Sequence, residues 1–85
     1  MDDQAKQATR LWTHAQTVVS AFVTSVVWDF AARGDLLQEI AVAVIESFER
    51  YDSSRSFIGW ALGIARNQVD LYLRRVRRDR LIARL

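Results

Sequence analysis

The chain of 85 residues contains no proline and only three glycines. Because these two residue types are the strongest breakers of regular structure, their scarcity favours a few long helices over many short strands. A chain of this length can build one small core, so residues 1–85 are expected to form a single domain. No internal repeat or low-complexity segment divides the sequence. The predicted fold class is all-α, a compact three-helix bundle.

Apolar side chains recur every three or four positions, and their pattern predicts helices over residues 6–32, 35–50 and 57–78. β-branched residues between positions 17 and 27 favour strands instead, but the period and length of the pattern outweigh them. The polar, turn-prone residues 51–56 predict the one substantial loop. The buried face of the first helix is expected to consist of Leu11, Ala15, Val18, Val19, Phe22, Val23, Val26 and Phe30.

The turn between the first two helices is predicted at Gly34. Arg33 places a basic residue in the last helical turn, and Gly34 has the freedom to take a left-handed conformation at the helix end. Asp35 is then expected to begin the second helix. Gln38 follows three residues later, which gives an approximate capping box.

Charge is distributed unevenly along the chain, although the net charge is only +2. Through Asp52 there are four basic and eight acidic residues, a net charge of −4. After Asp52 there are eight arginines and two aspartates, a net charge of +6. An acidic half is therefore joined to a basic half, and two different partners are expected.

Several classes of function lack the residues that they need. The chain has no cysteine, so neither a disulfide nor a thiolate zinc site can form. Its single histidine, His14, has no acidic residue at ligand spacing, and neither a phosphate-binding loop nor a nucleophile motif is present. No pair of titratable residues is poised for catalysis. We therefore expect no enzymatic activity, no metal and no cofactor.

The sequence also gives expectations about location. The first residues, MDDQ, lack the basic start and apolar core of a signal peptide. The longest apolar-rich stretch, residues 18–30, contains polar residues and is shorter than the roughly 20 residues of a membrane span. Together with the absence of cysteine, these features favour a cytoplasmic location and no membrane partner.

Two motifs resemble region 2 of bacterial sigma factors. Residues 35–40, DLLQEI, resemble the D-[LIV]-[LIV]-Q-E segment of that region, and residues 57–67, FIGWALGIARN, resemble the F-x-x-W-x-x-x-I-A-R-N signature of its promoter helix. The order and separation of the motifs also fit, and the resemblance covers residues 11–78. It is closest to the compact extracytoplasmic-function (ECF) group. Those proteins carry a second DNA-binding domain, region 4, which is expected to be absent from this chain.

The resemblance implies a polymerase-docking face on the second helix. The matching residues of the family face the clamp helices of the RNA polymerase beta-prime subunit. Here they are Asp35, Gln38 and Glu39. Because these residues are three or four positions apart, simultaneous contact is geometrically reasonable. The alternative for Asp35 is a purely local role as a helix cap.

The resemblance also implies that the 51–56 loop captures a base flipped out of the DNA stack. Extrusion of a base costs a few kcal/mol and needs a pocket that receives it. The alternative for Phe57 and Trp60 is a place in the hydrophobic core. The candidate residues are Ser53, Ser54, Arg55, Ser56, Phe57 and Ile58.

The third helix is expected to hold DNA along its basic face. Asn67 matches a position that reads the non-template strand of the minus-ten promoter element, where an amide can pair with a base edge. Arg66 is a second candidate, with an ion pair to Asp70 as its alternative. The arginines suit phosphate oxygens, although such a strip is also commonly a solvated face. The full set is Arg66, Asn67, Asp70, Arg74, Arg75, Arg77 and Arg78.

The predicted function is that of a transcription initiation factor domain. It docks on the RNA polymerase core through its acidic half, and it recognises and melts the minus-ten element through its basic half. An anti-sigma factor is left open as a further partner. The alternative is a helical interaction module whose third helix binds a protein or an anionic membrane surface without promoter binding.

Overall fold

The computed structural model describes residues 2–84. The chain forms three long helices, α1 (Asp3–Val26), α2 (Phe30–Glu46) and α3 (Phe57–Ala83), with a short 3-10 helix at Phe48–Arg50. Each long helix packs against the other two. No strand occurs among the described residues. The prediction of an all-α, compact three-helix bundle is confirmed.

The turn between α1 and α2 lies earlier than the sequence predicted. α1 ends at Val26 instead of residue 32, and α2 begins at Phe30 instead of residue 35. Asp29 caps α2, because its carboxylate accepts hydrogen bonds from the backbone N–H groups of Ala31 and Ala32 at 3.0 and 3.3 Å. Asp29 follows Val26, Val27 and Trp28, and its short side chain provides the acceptor that begins α2.

Gly34, Asp35 and Gln38 consequently lie inside α2, and the prediction that they form a helix end and a capping box was wrong. Gly34 has no left-handed conformation, and its place inside α2 costs about 1 kcal/mol relative to alanine. Arg33 closes the turn in a different way. Its Nε donates to the carbonyl oxygen of Val27 at 2.7 Å, so a residue of α2 satisfies the end of α1.

The remaining helix ends are closer to the predictions. α2 ends at Glu46, and the 3-10 helix carries the chain to residue 50, where the second helix was expected to end. α3 begins at the predicted Phe57 and continues to Ala83, five residues beyond the predicted end. Ser56 caps α3, since its Oγ accepts a hydrogen bond from the N–H of Gly59 at 3.1 Å.

The core runs along the inner faces of all three helices. The stripe predicted for α1 was partly wrong, because Val18, Val26 and Phe30 are exposed. The stripe is rotated toward Ala8 and Trp12 and closes with Val27. The buried residues of the whole core are Ala8, Trp12, Ala15, Val19, Val23 and Val27 in or just after α1, Leu36, Ile40 and Val44 in α2, and Phe57, Ala61, Ala65 and Val69 in α3.

Replacing Gly34 or Gly63 with alanine is expected to raise the free energy of unfolding by up to about 1 kcal/mol each, because both lie inside helices. A Cβ atom at either position has no neighbouring heavy atom within 4 Å. The midpoint of urea unfolding, followed by circular dichroism, measures the change. The control is Ala21→Gly at an exposed position of α1, which should lower the midpoint by a similar amount. A lowered midpoint for either glycine variant would contradict the open space around it.

Candidate functional site

The three predicted docking residues lie together on the exposed face of α2. Asp35, Gln38 and Glu39 line one open groove with a volume of about 620 Å³. Asp35 is exposed and lies in the helix interior, so the alternative that it only caps a helix does not hold. No basic side chain among residues 2–84 is paired with either carboxylate.

The groove also contains residues that the sequence analysis did not select. Val42 is 53% exposed between the acidic side chains. Glu46 adds a third carboxylate at the C-terminal end of α2, and Gln68 enters from α3. Val42 and Glu46 could have been predicted from the sequence, because their helical spacing from Asp35 places all three on one face of α2. Gln68 required the tertiary structure, because it belongs to another helix. An apolar centre with three carboxylates around it suits a basic, partly apolar helix.

The 51–56 loop is held by local hydrogen bonds. The Oδ1 atom of Asp52 accepts from the backbone N–H of Ser54 at 2.9 Å and from its hydroxyl at 2.8 Å. The Tyr51 hydroxyl donates to the carbonyl oxygen of Arg55. The Arg55 Nε lies 4.0 Å from Asp52, with both side chains exposed. Ser53 and the guanidinium of Arg55 therefore project outward from a preformed turn.

Four aromatic rings support this loop from below. Tyr51 lies with its ring centroid 5.3 Å from that of Phe57 and 5.2 Å from that of Trp60. Phe48 stacks on Tyr51 at 5.7 Å. Phe57 is only 8% exposed, which agrees with the alternative that it belongs to the hydrophobic core. Ile58 beside it is exposed. The predicted base-capture residues are therefore adjacent, but Phe57 lies beneath the surface that the others form.

The outward side of α3 carries most of the predicted DNA-binding residues. At 100° per residue, Arg66, Asn67, Asp70, Arg74 and Arg77 lie opposite the buried alanines of the same helix, and all five are exposed. The ion pair between Arg66 and Asp70, offered as an alternative, is not formed. The arginine side chains of this face therefore remain available to an anionic ligand.

Arg75 departs from that face, whereas Arg78 lies at its edge. Arg75 lies on the side of α3 that faces α2, where it lines a small groove of about 150 Å³ with Asp35 and Glu39. Arg78 is exposed and lines another depression with Arg74 and Arg75. The structure thus brings Arg75 toward the docking residues and separates it from Asn67.

The family comparison agrees with this arrangement. The sequence profile described as Sigma-70 region 2 matches residues 11–79. The chain belongs to the sigma-70 region 2 family. No curated protein and no solved structure is significantly similar to it. Sigma-70 region 2 is a domain of transcription factors and not an enzyme family, and its members act with RNA polymerase and promoter DNA. The matched residues include the acidic groove, the loop and the outward face of α3.

Two features are absent from the described part of this sigma-70 region 2 domain. Between residues 2 and 84, no helix is long and apolar enough to span a membrane. Within the same residues, no group of three or more histidine or acidic side chains is placed to hold a metal ion.

The pKa of Asp52 lies below its ordinary value of 3.8, because the backbone N–H and then the hydroxyl of Ser54 donate to its carboxylate. A folded-state pKa below the unfolded value stabilises the loop above the unfolded pKa, and this contribution disappears as the pH falls through the lowered pKa. We therefore expect the Ser54 amide resonance to be constant from neutral pH to about pH 4 and to shift only below it. An NMR titration measures this, and Asp52→Ala should lack the transition. An inflection above pH 4 would contradict the hydrogen bonds.

Proposed function

We propose that this domain is a transcription initiation factor of the ECF type, which docks on the beta-prime clamp helices and melts the minus-ten element. The observation that carries the proposal is the groove that joins Asp35, Gln38 and Glu39 on one helix face. The outward arginines belong to another helix and another side of the bundle. One small domain can then hold polymerase and DNA at the same time.

The docking step rests on charge and shape. The carboxylates of Asp35, Glu39 and Glu46 surround the exposed side chain of Val42. A partner helix with an apolar residue between basic residues would cover Val42 and pair with the acids. Such complementarity raises the association rate and fixes the register of the contact. The beta-prime clamp helices are the partner that the family resemblance implies.

The recognition step uses different groups for position and for sequence. Guanidinium groups of Arg74, Arg77 and Arg78 would bind phosphates and set the position of the strand. The Asn67 amide would bind a base edge, for which adenine offers the matching donor and acceptor. Asp70 can accept a hydrogen bond from the amino group of cytosine, but it repels phosphate. The exposed acid therefore favours a base contact at this position.

The melting step is assigned to the loop and the first turn of α3. An extruded base would contact Ser53, Ser54 and Arg55 on one side and Ile58 on the other, with the hydroxyl of Ser56 retained as the helix cap. Phe57 supports this surface from the core. Because Asp52 and Tyr51 already order the loop, little conformational entropy is lost when the base binds. An anti-sigma factor that covers one of the two faces would block the step that depends on that face.

The experiment that tests the proposed function measures two bindings of the wild-type domain. One partner is a recombinant fragment with the beta-prime clamp helices, and the other is a fluorescent single-stranded oligonucleotide with a minus-ten sequence. We expect salt-sensitive binding to both and weaker binding to a scrambled oligonucleotide. If the domain bound neither partner, a helical interaction module without promoter binding would replace this proposal.

A further inference from the structure

The connection between α1 and α2 exposes two large aromatic side chains. Trp28 is 90% exposed and Phe30 is 83% exposed. Val27, which links α1 to Trp28, is buried. The backbone of Val27 and Asp29 is extended. Val27 enters the core, while Trp28 and Phe30 remain on the surface. This pair is called the aromatic corner below.

The aromatic corner adjoins a groove on the C-terminal half of α3. The groove has a volume of about 460 Å³. Val26, Leu73 and Val76 provide apolar walls, Trp28 lies at one side, and Arg77 and Arg80 provide the positive charge. The arginine side chains are exposed and have no acidic partner within residues 2–84.

The fold does not require Trp28 or Phe30 for its own stability. Asp29 caps α2, Val27 fills the core, and Arg33 satisfies the carbonyl group of Val27. The connection is therefore fixed by other residues. Exposed aromatic and aliphatic side chains with a polar rim are typical of protein interfaces, and tryptophan and arginine are enriched among the residues that dominate binding energy.

We propose that the aromatic corner and its groove bind an acidic amphipathic helix of a partner protein. Apolar side chains of that helix would fill the space between Val26, Leu73 and Val76, and its carboxylates would pair with Arg77 and Arg80. The one acid of the groove, Asp29, is engaged by backbone N–H groups. A flat lipid surface would leave the groove empty, and a nucleic acid would leave its aliphatic walls uncovered.

The proposed interface does not depend on the promoter function, but the two are coupled at Arg77. This arginine lines the groove and also lies on the outward face of α3. A carboxylate of the partner helix that pairs with Arg77 would compete with a DNA phosphate. Occupation of the groove is therefore expected to weaken, but not to abolish, DNA binding.

The test is a selection of displayed random 16-residue peptides on the wild-type domain. Enriched peptides should combine acidic residues with leucine or phenylalanine at positions i, i+3 or i+4, and i+7. Trp28→Ala and Arg80→Glu should each weaken binding at least tenfold by fluorescence anisotropy. The control is Arg10→Glu, an exposed arginine about 24 Å along α1 from its C-terminal end, and it should leave the affinity unchanged.

Trp28 also provides a direct signal, because Trp12 is buried and Trp60 is half-buried. Binding of a selected acidic peptide should reduce iodide quenching of the exposed tryptophan. Enrichment of basic peptides, or retained binding by Trp28→Ala, would overturn the proposal. It would also be overturned if oligonucleotides or phosphatidylglycerol vesicles protected Trp28 while acidic peptides did not. Loss of clamp-helix binding would overturn only the promoter function.

Discussion

The double variant Gln38→Ala, Glu39→Arg is expected to lose binding to the beta-prime clamp-helix fragment by at least about tenfold, or about 1.4 kcal/mol. Glu39 lines the groove with Asp35 and Glu46, where no basic side chain of the described chain neutralises it. An arginine there would face the basic groups of the partner, and like charges in an interface cost several kcal/mol. Fluorescence anisotropy of the labelled fragment at moderate salt measures the affinity.

The control for this variant is Glu49→Arg. Glu49 is an exposed acid in the 3-10 helix, outside the docking groove, and its replacement changes the net charge as Glu39→Arg does. We expect it to leave the affinity within about twofold, because Glu49 does not line the docking groove and its exposed charge is partly screened by salt. Equal loss in both variants would mean that net charge, and not the groove, determines docking. Circular dichroism verifies that both variants remain helical.

Ile40→Ala is expected to lower the free energy of unfolding by about 2–5 kcal/mol. Ile40 is fully buried in α2, in the core formed with α1 and α3. Its truncation removes apolar contacts and leaves a cavity that helices of this length fill only partly. A small domain has about 5–15 kcal/mol in total, so the variant should be partly unfolded at moderate temperature. Urea unfolding followed at the helical circular dichroism band measures the loss.

The matched control is Ile82→Ala, the same chemical change at an exposed position near the end of α3. It should change the free energy of unfolding by no more than about 0.5 kcal/mol. If the two substitutions lowered the urea midpoint equally, the core assigned to α2 would be wrong. The slope of the unfolding free energy against urea concentration reflects the surface exposed on unfolding. An unchanged slope with a lower midpoint means lost stability, and a changed slope means a changed unfolded state.

The two proposed binding faces owe their separation to the order of charge along the chain. Asp35, Glu39 and Glu46 belong to the acidic half and fall on α2, while the arginines after Asp52 fall mainly on α3. Arg75 is the exception, because its position on α3 turns it toward Asp35 and Glu39. Arg75 therefore places a positive charge beside the acidic groove, although it forms no ion pair with Asp35 or Glu39.

The sequence predicted the start of α3 well and the start of α2 poorly, for a physical reason. Residues 51–56 contain several turn-forming side chains in succession, and Ser56 supplies an N-cap, so one position dominates. Before α2, two capping aspartates compete. Asp35 follows Gly34 and matches the usual pattern, but Asp29 caps α2, and the turn before it places Val27 in the core.

The sequence by itself determined the helical class, the loop, the charge division and the family motifs, because these follow from local preferences and from residue order. Only the tertiary structure decided which apolar residues are covered. Helical period assigned Phe30 and Val26 to the core, yet packing of α1 against two partners left them exposed. It also brought Gln68 into the acidic groove. Burial depends on the neighbours that a face meets, and residues distant in sequence provide those neighbours.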